Sequence, residues 1–191
     1  IHLDYIRFQI NQGFSYDKAT CEAFKKVSGY SPFDGKFDSG SMIWCEWLKW
    51  NAEQVTSLVR EIKEIMNESE KKVLLGVDVF ADGDAAKILI GQDWKLWAKE
   101  GIVDIICPMQ YTNSADMFRR SVREAVKATE GKCLLYPGIA CHSSHNKNTP
   151  EGVIQEVIIA REEGADGVTF FSGTSLTDEF IDKLKISVYK D

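Results

Sequence analysis

Two aspartates close apolar runs of the sequence, and their positions suit general acid–base chemistry. Asp4 ends the run that begins at Ile1, and Asp78 lies near the end of residues 73–80. Glycoside hydrolysis needs two carboxyl groups, one protonated as general acid and one ionised as base or nucleophile. Neighbouring strands lie ~4.8 Å apart, so carboxyl groups on two such strands fall within the range of retaining glycosidases. We therefore predict Asp4 and Asp78 as a catalytic pair.

This chemistry requires both side chains to point into one cavity. Side chains alternate along a strand, which places Asp4 on the face opposite to Leu3 and Asp78 on the face opposite to Val77. If the apolar residues pack on helices, both carboxylates enter the same mouth. Each aspartate has a structural alternative: Asp4 could cap the turn after its strand, and Asp78 could hold Asp4 or Arg7 in place.

Aromatic and polar side chains at the same strand ends supply groups that would hold a sugar. Aromatic rings stack on the apolar faces of sugar rings, and their polar tips fix orientation. The spacing of Trp44 and Trp47 favours core packing instead, and Asp93 could either reach the mouth or cap the helix that carries Trp94. The predicted substrate-binding residues are Tyr5, Arg7, Asp93, Gln110, Tyr111, His142 and Phe171.

The motifs of metal and cofactor sites are missing from the sequence. His142 and His145 share a polar loop without a nearby acid, which favours a solvated loop. The five cysteines are odd in number and lack paired spacing, so neither a disulfide framework nor a zinc site is expected. The sequence also lacks a nucleophile elbow, a P-loop and a dinucleotide fingerprint. We predict neither a metal nor a cofactor.

Five short and nearly uncharged runs supply the strands that would position the site. Such runs are typical of strands buried on both faces of a parallel sheet, and the segments between them have the apolar spacing of helices. Parallel strands require such crossovers. The predicted fold class is therefore α/β, of the (β/α)8 TIM-barrel type. The runs are residues 1–8, 73–80, 103–109, 133–139 and 166–171.

Helix boundaries and one long connection complete this pattern. Thr149 before Pro150 has the arrangement of an N-cap followed by proline at the first helical position. Residues 9–43 form a long excursion rich in Gly, Ser, Asp and aromatics, which we interpret as an active-site loop. Glycines at 29, 101, 131 and 164 stand where helices should end.

The number of strand–helix units is small for a complete barrel. A (β/α)8 barrel takes ~250 residues, whereas this chain has 191 and starts within a strand. We therefore expect residues 1–191 to be a single partial barrel domain that carries about strands four to eight, with the N-terminal units absent. The first and last strands would then have free edges, and these predict self-association.

Composition restricts the partners of the protein. Charged residues make up 27% of the chain and the net charge is −6, with no basic stripe, which argues against nucleic acid. The sequence contains no apolar run near the ~20 residues that a membrane span needs. We predict one globular unit, and the mildly acidic composition does not by itself identify a substrate.

Four stretches resemble one family, the glycoside hydrolase-like family ten, a group of bacterial and often exported barrel proteins. They are residues 3–8, Trp50 with residues 53–56, residues 92–97, and residues 103–111. They occur in the family's order and correspond to its fourth through eighth strands. In one place the chain departs from the family pattern, because Asn51 follows Trp50 where an arginine is usual.

The resemblance implies a carbohydrate substrate, with bacterial cell-wall glycan such as peptidoglycan as a target, and a site of action in the cell envelope or outside the cell. Residues 2–4 also look like the nucleophile stretch of α-amylase-type barrels, which implies that Asp4 is the nucleophile and Asp78 the acid/base. Two alternatives stay open: a non-catalytic carbohydrate-binding barrel, and a phosphosugar enzyme that binds phosphate at residues 172–175.

Overall fold

A computed structural model describes residues 1–10, 16–36, 38–144 and 146–189. Its strands are β1 (His2–Leu3), β2 (Gly76–Phe80), β3 (Ile105–Met109), β4 (Leu134–Leu135), β5 (Gly138–Ala140) and β6 (Thr169–Phe171). All of the pairings between strands are parallel, in the order β1-β2-β3-β5-β6, with β4 beside β3. The five predicted runs are thus confirmed as strands, the fourth being divided into β4 and β5 by Tyr136 and Pro137.

Helices connect the successive strands and make the fold a partial (β/α) barrel. Polar caps start several of them: Asp17, Ser41, Asp82, Ser114 and Thr149 each accept a backbone N–H with the side chain. The helices are α1 (Lys18–Ser28), α2 (Met42–Glu68), α3 (Gly83–Ile90), α4 (Trp94–Glu100), α5 (Ala115–Thr129), α6 (Pro150–Glu162) and α7 (Asp178–Ser187), with a 3-10 helix at Pro32–Gly35.

The main core lies between one face of the sheet and the helices. Val77, Val79 and Ile106 on this face are fully buried, and the indoles of Trp94 and Trp97 on α4 pack into the same cluster. Burying a side chain of this size contributes about 1.5–3 kcal/mol relative to leaving it in water. Alternation then directs the neighbouring strand residues to the opposite face, which carries the polar groups of the site.

The excursion at residues 9–43 differs from the predicted active-site loop. Its described part folds into α1 and the 3-10 helix, which pack on the first turns of α2. Phe24 lies edge-on against Trp47 with ring centroids 5.0 Å apart, and Trp47 stacks on Trp50 at 5.4 Å. The prediction was wrong here because these aromatic side chains bury one another. Of the described residues in the excursion, Ile10 alone lines the mouth cavity; residues 11–15 lie outside the described part.

Candidate active site

The loops at the C-terminal ends of the strands enclose a cavity of about 500 Å³. A groove between α2 and α3 is larger, about 670 Å³, but none of the predicted site residues lines it. Chemistry rather than size therefore selects the first cavity, which we call the mouth. Of the predicted site residues, its lining includes Asp4, Tyr5, Arg7, Tyr111 and Phe171.

Asp4 stands in a sharp turn immediately after β1. Leu3 is paired in register with Val77, so Asp4 follows at the level of Asp78 on the neighbouring strand. The backbone N–H of Tyr5 donates to Asp4 Oδ1 at 2.8 Å, and Tyr5 has a left-handed φ of 59°. This turn ends the strand after two residues and leaves the Asp4 side chain exposed at the mouth. Asp4 thus has the turn contact of the structural alternative and also faces the cavity.

Asp78 on β2 is held by an imidazole that the sequence analysis did not identify. His2 Nε2 lies 3.0 Å from Asp78 Oδ1. The imidazole can lie across the strand because its register partner is Gly76, where an added Cβ would lie 2.6 Å from His2 Nδ1. The available signal was the alternation itself, since His2 and Asp4 share one face of β1.

Cys107 lies next to Asp78 on the same face of the sheet, one strand further along. The two residues are register partners, and Thr169 Oγ1 on β6 donates to Cys107 Sγ at 3.6 Å. Burial raises the pKa of the Cys107 thiol to about 11, an effect that the Thr169 hydrogen bond reduces and the Asp78 charge increases. The thiol is therefore protonated near neutral pH.

Tyr111 and Phe171 form an aromatic wall of the mouth. Their rings stack with centroids 5.3 Å apart and an angle of 24° between the planes. Burial, followed by the negative charges of Asp78 and Asp4, raises the pKa of Tyr111 to about 12. The phenol is thus a neutral hydrogen-bond donor beside both carboxylates. Asp4 and Asp78 are therefore both near enough to Tyr111 to act on it electrostatically.

Arg7 is held by aromatic faces rather than by an acid. Its guanidinium carbon lies 4.1 Å from the centroid of the Tyr5 ring and 5.1 Å from that of Phe80. Its Nη1 donates to the Phe8 carbonyl at 3.3 Å. Within the described part of the chain, Arg7 forms no ion pair with a carboxylate, so most of its five N–H donors have no protein acceptor there.

Three predicted substrate-binding residues do not line the mouth. Asp93 stands at the N-cap of α4 without a capping hydrogen bond and pairs with Lys87 of the preceding helix at 2.7 Å. Gln110 is 4% exposed, and neither polar atom of its side chain has a partner among the described residues. His142 is exposed in a β-bridge to Lys147. The mouth therefore gathers four of the seven predicted substrate-binding residues, namely Tyr5, Arg7, Tyr111 and Phe171. His145 lies outside the described residues.

Gln92 organises the strand ends beneath the mouth, and the sequence analysis missed this role. The side chain is fully buried. Its Oε1 accepts the Phe80 N–H at 3.0 Å, and its Nε2 donates to the carbonyls of Asp78 at 3.1 Å and Ile6 at 3.4 Å. Trp94 adds a bond from its indole N–H to the Phe80 carbonyl at 3.0 Å. The Gln92 side-chain amide thus connects the segment that follows Asp4 with the strand that contains Asp78.

The Asn51 departure from the family pattern lies away from the mouth. Asn51 lines a small cavity of about 30 Å³ between α2 and the end of α3, together with Trp47 and Ile90. Its buried Oδ1 has no hydrogen-bond partner among the described residues. A water-sized space beside an unpartnered oxygen is an ordinary place for a buried water. The departure therefore lies at the contact between α2 and α3 and not in the candidate active site.

Comparison with known proteins agrees with this architecture. The structure is similar to the PgaB (BpsB) glycoside hydrolase domain from Bordetella bronchiseptica, with a TM-score of 0.68 and 12% sequence identity. The similarity covers 97% of this chain and 54% of that one, so this chain spans about half the length of the Bordetella domain. At this identity the likeness shows the fold alone. No protein of curated function matches the sequence.

Sequence comparison with protein families gives a more specific result. The family described as glycosyl hydrolase-like 10 matches residues 1–152, which include Asp4, Asp78 and the Gln92 region. This match covers more than half of the chain and confirms the resemblance found in the sequence. The chain belongs to the glycosyl hydrolase-like 10 family.

Proposed function

We propose that the protein is a glycoside hydrolase that acts through Asp4 and Asp78 at the mouth of the barrel. The observation that carries the proposal is the position of the two carboxylates at one level of adjacent parallel strands, with both charges acting on Tyr111. Family membership supports the same reaction class. Two carboxylates on neighbouring strands, ~4.8 Å apart, match the arrangement that retaining enzymes use.

In this proposal the two aspartates have different roles because their surroundings differ. Asp4 is exposed and close to the mouth opening, so it serves as the nucleophile that attacks the anomeric carbon. Asp78 is less exposed than Asp4, so we assign it the proton donation to the leaving oxygen and the later acceptance of a proton from water; His2 Nε2, 3.0 Å away, orients its carboxyl group. Tyr111 donates a hydrogen bond to a sugar oxygen beside them.

The mouth offers the surfaces that a sugar ring needs. The stacked pair of Tyr111 and Phe171 and the exposed ring of Tyr5 supply apolar faces. Arg7 adds N–H donors for hydroxyl or carboxylate oxygens. We propose a bacterial or environmental polysaccharide as substrate, with the glycan of peptidoglycan as the first candidate. This implies that the protein acts in the cell envelope or outside the cell. No helix in the described part has both the length and the apolar character that crossing a bilayer requires.

The phosphosugar alternative has less support in the described residues. Ser172, Thr174 and Ser175 follow β6, where such barrels hold phosphate. Their hydroxyls instead bond to one another, with Ser172 Oγ 2.8 Å from Thr174 Oγ1. No lysine or arginine lies in residues 169–177. The carbohydrate-binding alternative uses the same mouth and differs from the proposal only in the absence of bond cleavage.

A panel of glycans tests the proposal and separates it from both alternatives. Peptidoglycan, other bacterial polysaccharides and phosphosugars are incubated with the chain, and in parallel with any longer natural polypeptide that contains it. Release of reducing ends and binding by calorimetry are measured for the wild type, Asp4→Asn and Asp78→Asn. Cleavage by the wild type and its loss in both variants supports the proposal. Binding without cleavage identifies a binding barrel, and binding of phosphosugars alone identifies the metabolic alternative.

A further inference from the structure

Three side chains of different chemistry meet in the layer beneath the mouth. His2 Nε2, an oxygen of Asp78 and Cys107 Sγ all lie within 4.8 Å of one another. They come from three consecutive strands of the sheet, β1, β2 and β3. Hydrolysis as proposed above uses Asp78 but requires neither the thiol nor the proximity of all three groups. The cluster is therefore unexplained by the candidate active site.

We infer that His2, Asp78 and Cys107 form a binding site for a zinc-like divalent cation. Imidazole, carboxylate and thiolate are the three ligand types that zinc accepts in proteins, and catalytic or exchangeable sites often have three protein ligands and one open position. With bonds of about 2.0–2.3 Å, tetrahedral ligand atoms lie roughly 3.3–3.7 Å apart, so ligand atoms that now lie within 4.8 Å of one another would shift by up to about 1 Å on binding.

The sheet fixes these ligands in place through its register. Asp78 and Cys107 are direct register partners, and the missing side chain of Gly76 leaves room for the His2 imidazole. Thr169 Oγ1 donates to the sulfur from the far side and would remain as a hydrogen-bonded neighbour of the ligand. The site therefore has orientation from the backbone and support from a neighbouring hydroxyl.

The charge around the cluster also favours a cation. Asp78 belongs to the cluster and Asp4 lies at the same level just after β1, and among the described residues neither forms an ion pair with a lysine or arginine. On binding, the metal accepts lone pairs from the three ligand atoms, and the Cys107 thiol proton passes to solvent. Water or a sugar hydroxyl would take the fourth position on the open side.

The inference is independent of the proposed hydrolysis, since metal binding is measured without a glycan. The two connect at Asp78, because an oxygen that coordinates a metal is not free for proton transfer. Metal-loaded protein should therefore cleave glycans more slowly than metal-free protein. A failure of hydrolysis leaves the metal site testable, and a failure of metal binding leaves the hydrolase proposal intact.

The test uses the reduced chain, Zn²⁺ in calorimetry and Co²⁺ in absorption spectroscopy, where a thiolate ligand gives a charge-transfer band. We expect one equivalent of metal per chain and the thiolate band. Cys107→Ser should remove the band and weaken zinc affinity by at least about tenfold. Cys133→Ser is the matched control, because Cys133 is likewise buried at 8% exposure and has a pKa raised to about 11.

Other variants keep the test decisive if Cys107→Ser does not fold. His2→Gln changes a half-exposed side chain and should weaken zinc affinity without altering the circular dichroism spectrum. Gly76→Ala should weaken it as well, because the added Cβ displaces the imidazole. Wild-type protein that binds no zinc would overturn the inference. So would a thiolate band that survives Cys107→Ser or disappears in Cys133→Ser.

Discussion

The two ends of the parallel sheet use their carboxylates in different ways. At the N-terminal end, Asp104 accepts the Leu75 N–H at 2.7 Å and pairs with Lys63 Nζ at 2.6 Å. Asp166 accepts the Leu135 N–H at 2.9 Å in an equivalent position on the next strand pair. At the C-terminal end, Asp4 accepts one backbone N–H and Asp78 has one imidazole partner.

The difference shows how one fold separates stability from chemistry. A carboxylate at the start of a strand can tie two strands together and be neutralised by a lysine of a crossover helix. A carboxylate at the end of a strand meets loops and a cavity, where part of its hydrogen-bonding capacity stays available for a ligand. In α/β barrels, residues at the first end serve stability and residues at the second end serve catalysis.

The largest effect that would test this comparison is on turnover. Asp4→Asn removes the proposed nucleophile while keeping the shape of the side chain and its turn contact. We expect glycan cleavage to fall by at least about 10³-fold, whereas the free energy of unfolding should change by less than about 0.5 kcal/mol. Reducing-end assays and urea denaturation measure the two quantities. Turnover close to that of the wild type would remove Asp4 from the mechanism.

Glu156 on α6 provides a carboxyl group of a third kind, buried near the C-terminal end. It is 3% exposed and accepts a hydrogen bond from Asn148 Nδ2 at 2.9 Å, next to the loop that supplies Ser143 and Ser144 to the mouth. Burial raises the pKa of Glu156 to about 8 from an ordinary 4.5, and the Asn148 bond offsets part of this rise. The folded protein therefore keeps a proton that the unfolded chain releases.

The sign of the pH dependence follows from this difference in proton binding. The free energy of unfolding should fall as the pH rises from about 4.5 to about 8, with a slope of up to about 1.4 kcal/mol per pH unit, and level off above that range. Glu156→Gln should remove this part of the slope and stabilise the protein at alkaline pH. Urea denaturation across the range measures it. Parallel curves for the variant and the wild type would contradict the buried neutral carboxyl.

Asp104→Ala should have the opposite profile to Asp4→Asn. The change leaves the Leu75 N–H without its acceptor and Lys63 without its partner, so we expect a loss of about 1–3 kcal/mol in stability. Turnover per folded molecule should stay near that of the wild type. Glu70→Ala, on an exposed residue, is the control for loss of a surface carboxylate. A large loss of turnover with little loss of stability in Asp104→Ala would contradict the proposed difference between the two ends of the sheet.

Gln92→Met tests whether the mouth depends on the amide beneath it. The variant keeps the volume but loses the bonds to Ile6, Asp78 and Phe80, so we expect turnover to fall by about 10-fold or more with a smaller change in KM. Thr56→Val is the matched control, because it removes a buried hydrogen bond from the Trp97 indole, 2.9 Å long, that does not reach the mouth. Equal turnover losses in both variants would reduce Gln92 to a purely structural residue.

The free edges of the sheet should produce the smallest effect. In the described structure β1 pairs with β2 and β6 pairs with β5, which leaves one side of each outer strand unpaired. We expect the 191-residue chain to self-associate weakly in a concentration-dependent manner. Sedimentation velocity at a series of concentrations would show this, and a monomer at every concentration would contradict it.

Local sequence patterns were sufficient to predict the strands but not their ends. Short apolar runs and helical spacing predicted a parallel sheet, since each signal lies within one segment. The lengths of β1 and of the fourth strand depended on the left-handed turn at Tyr5 and on Pro137, which a pattern of apolar residues does not resolve. The excursion before α2 was misassigned because aromatic side chains suit both a sugar site and a packed cluster.

In the candidate site, too, features that depend on one segment could be predicted and features that depend on tertiary contacts could not. Alternation and strand order place Asp4 and Asp78 at one level of adjacent strands, and the register of β1 on β2 agrees with this; Asp4 lines the mouth, whereas Asp78 is not among its lining residues. Asp93 could not be placed, because its partner Lys87 belongs to a different short helix, and the angle between the two helices is a tertiary property. The role of His2 depends on the space left by the absent side chain of Gly76. The role of Gln92 depends on backbone groups of Ile6, Asp78 and Phe80. Neither role can be predicted from the sequence of a single segment.

The left-handed backbone at Tyr5 has a consequence for how this region could change in evolution. A positive φ costs most residues about 1–2 kcal/mol, less for glycine and asparagine, and most for β-branched side chains. Backbone geometry therefore restricts which residue types can follow Asp4, independently of any contact with substrate. Gly or Asn should be tolerated at residue 5, and Val or Ile should not, even in a protein that has lost its activity. The set of residues tolerated there therefore reflects the backbone conformation of the turn and not a role in catalysis.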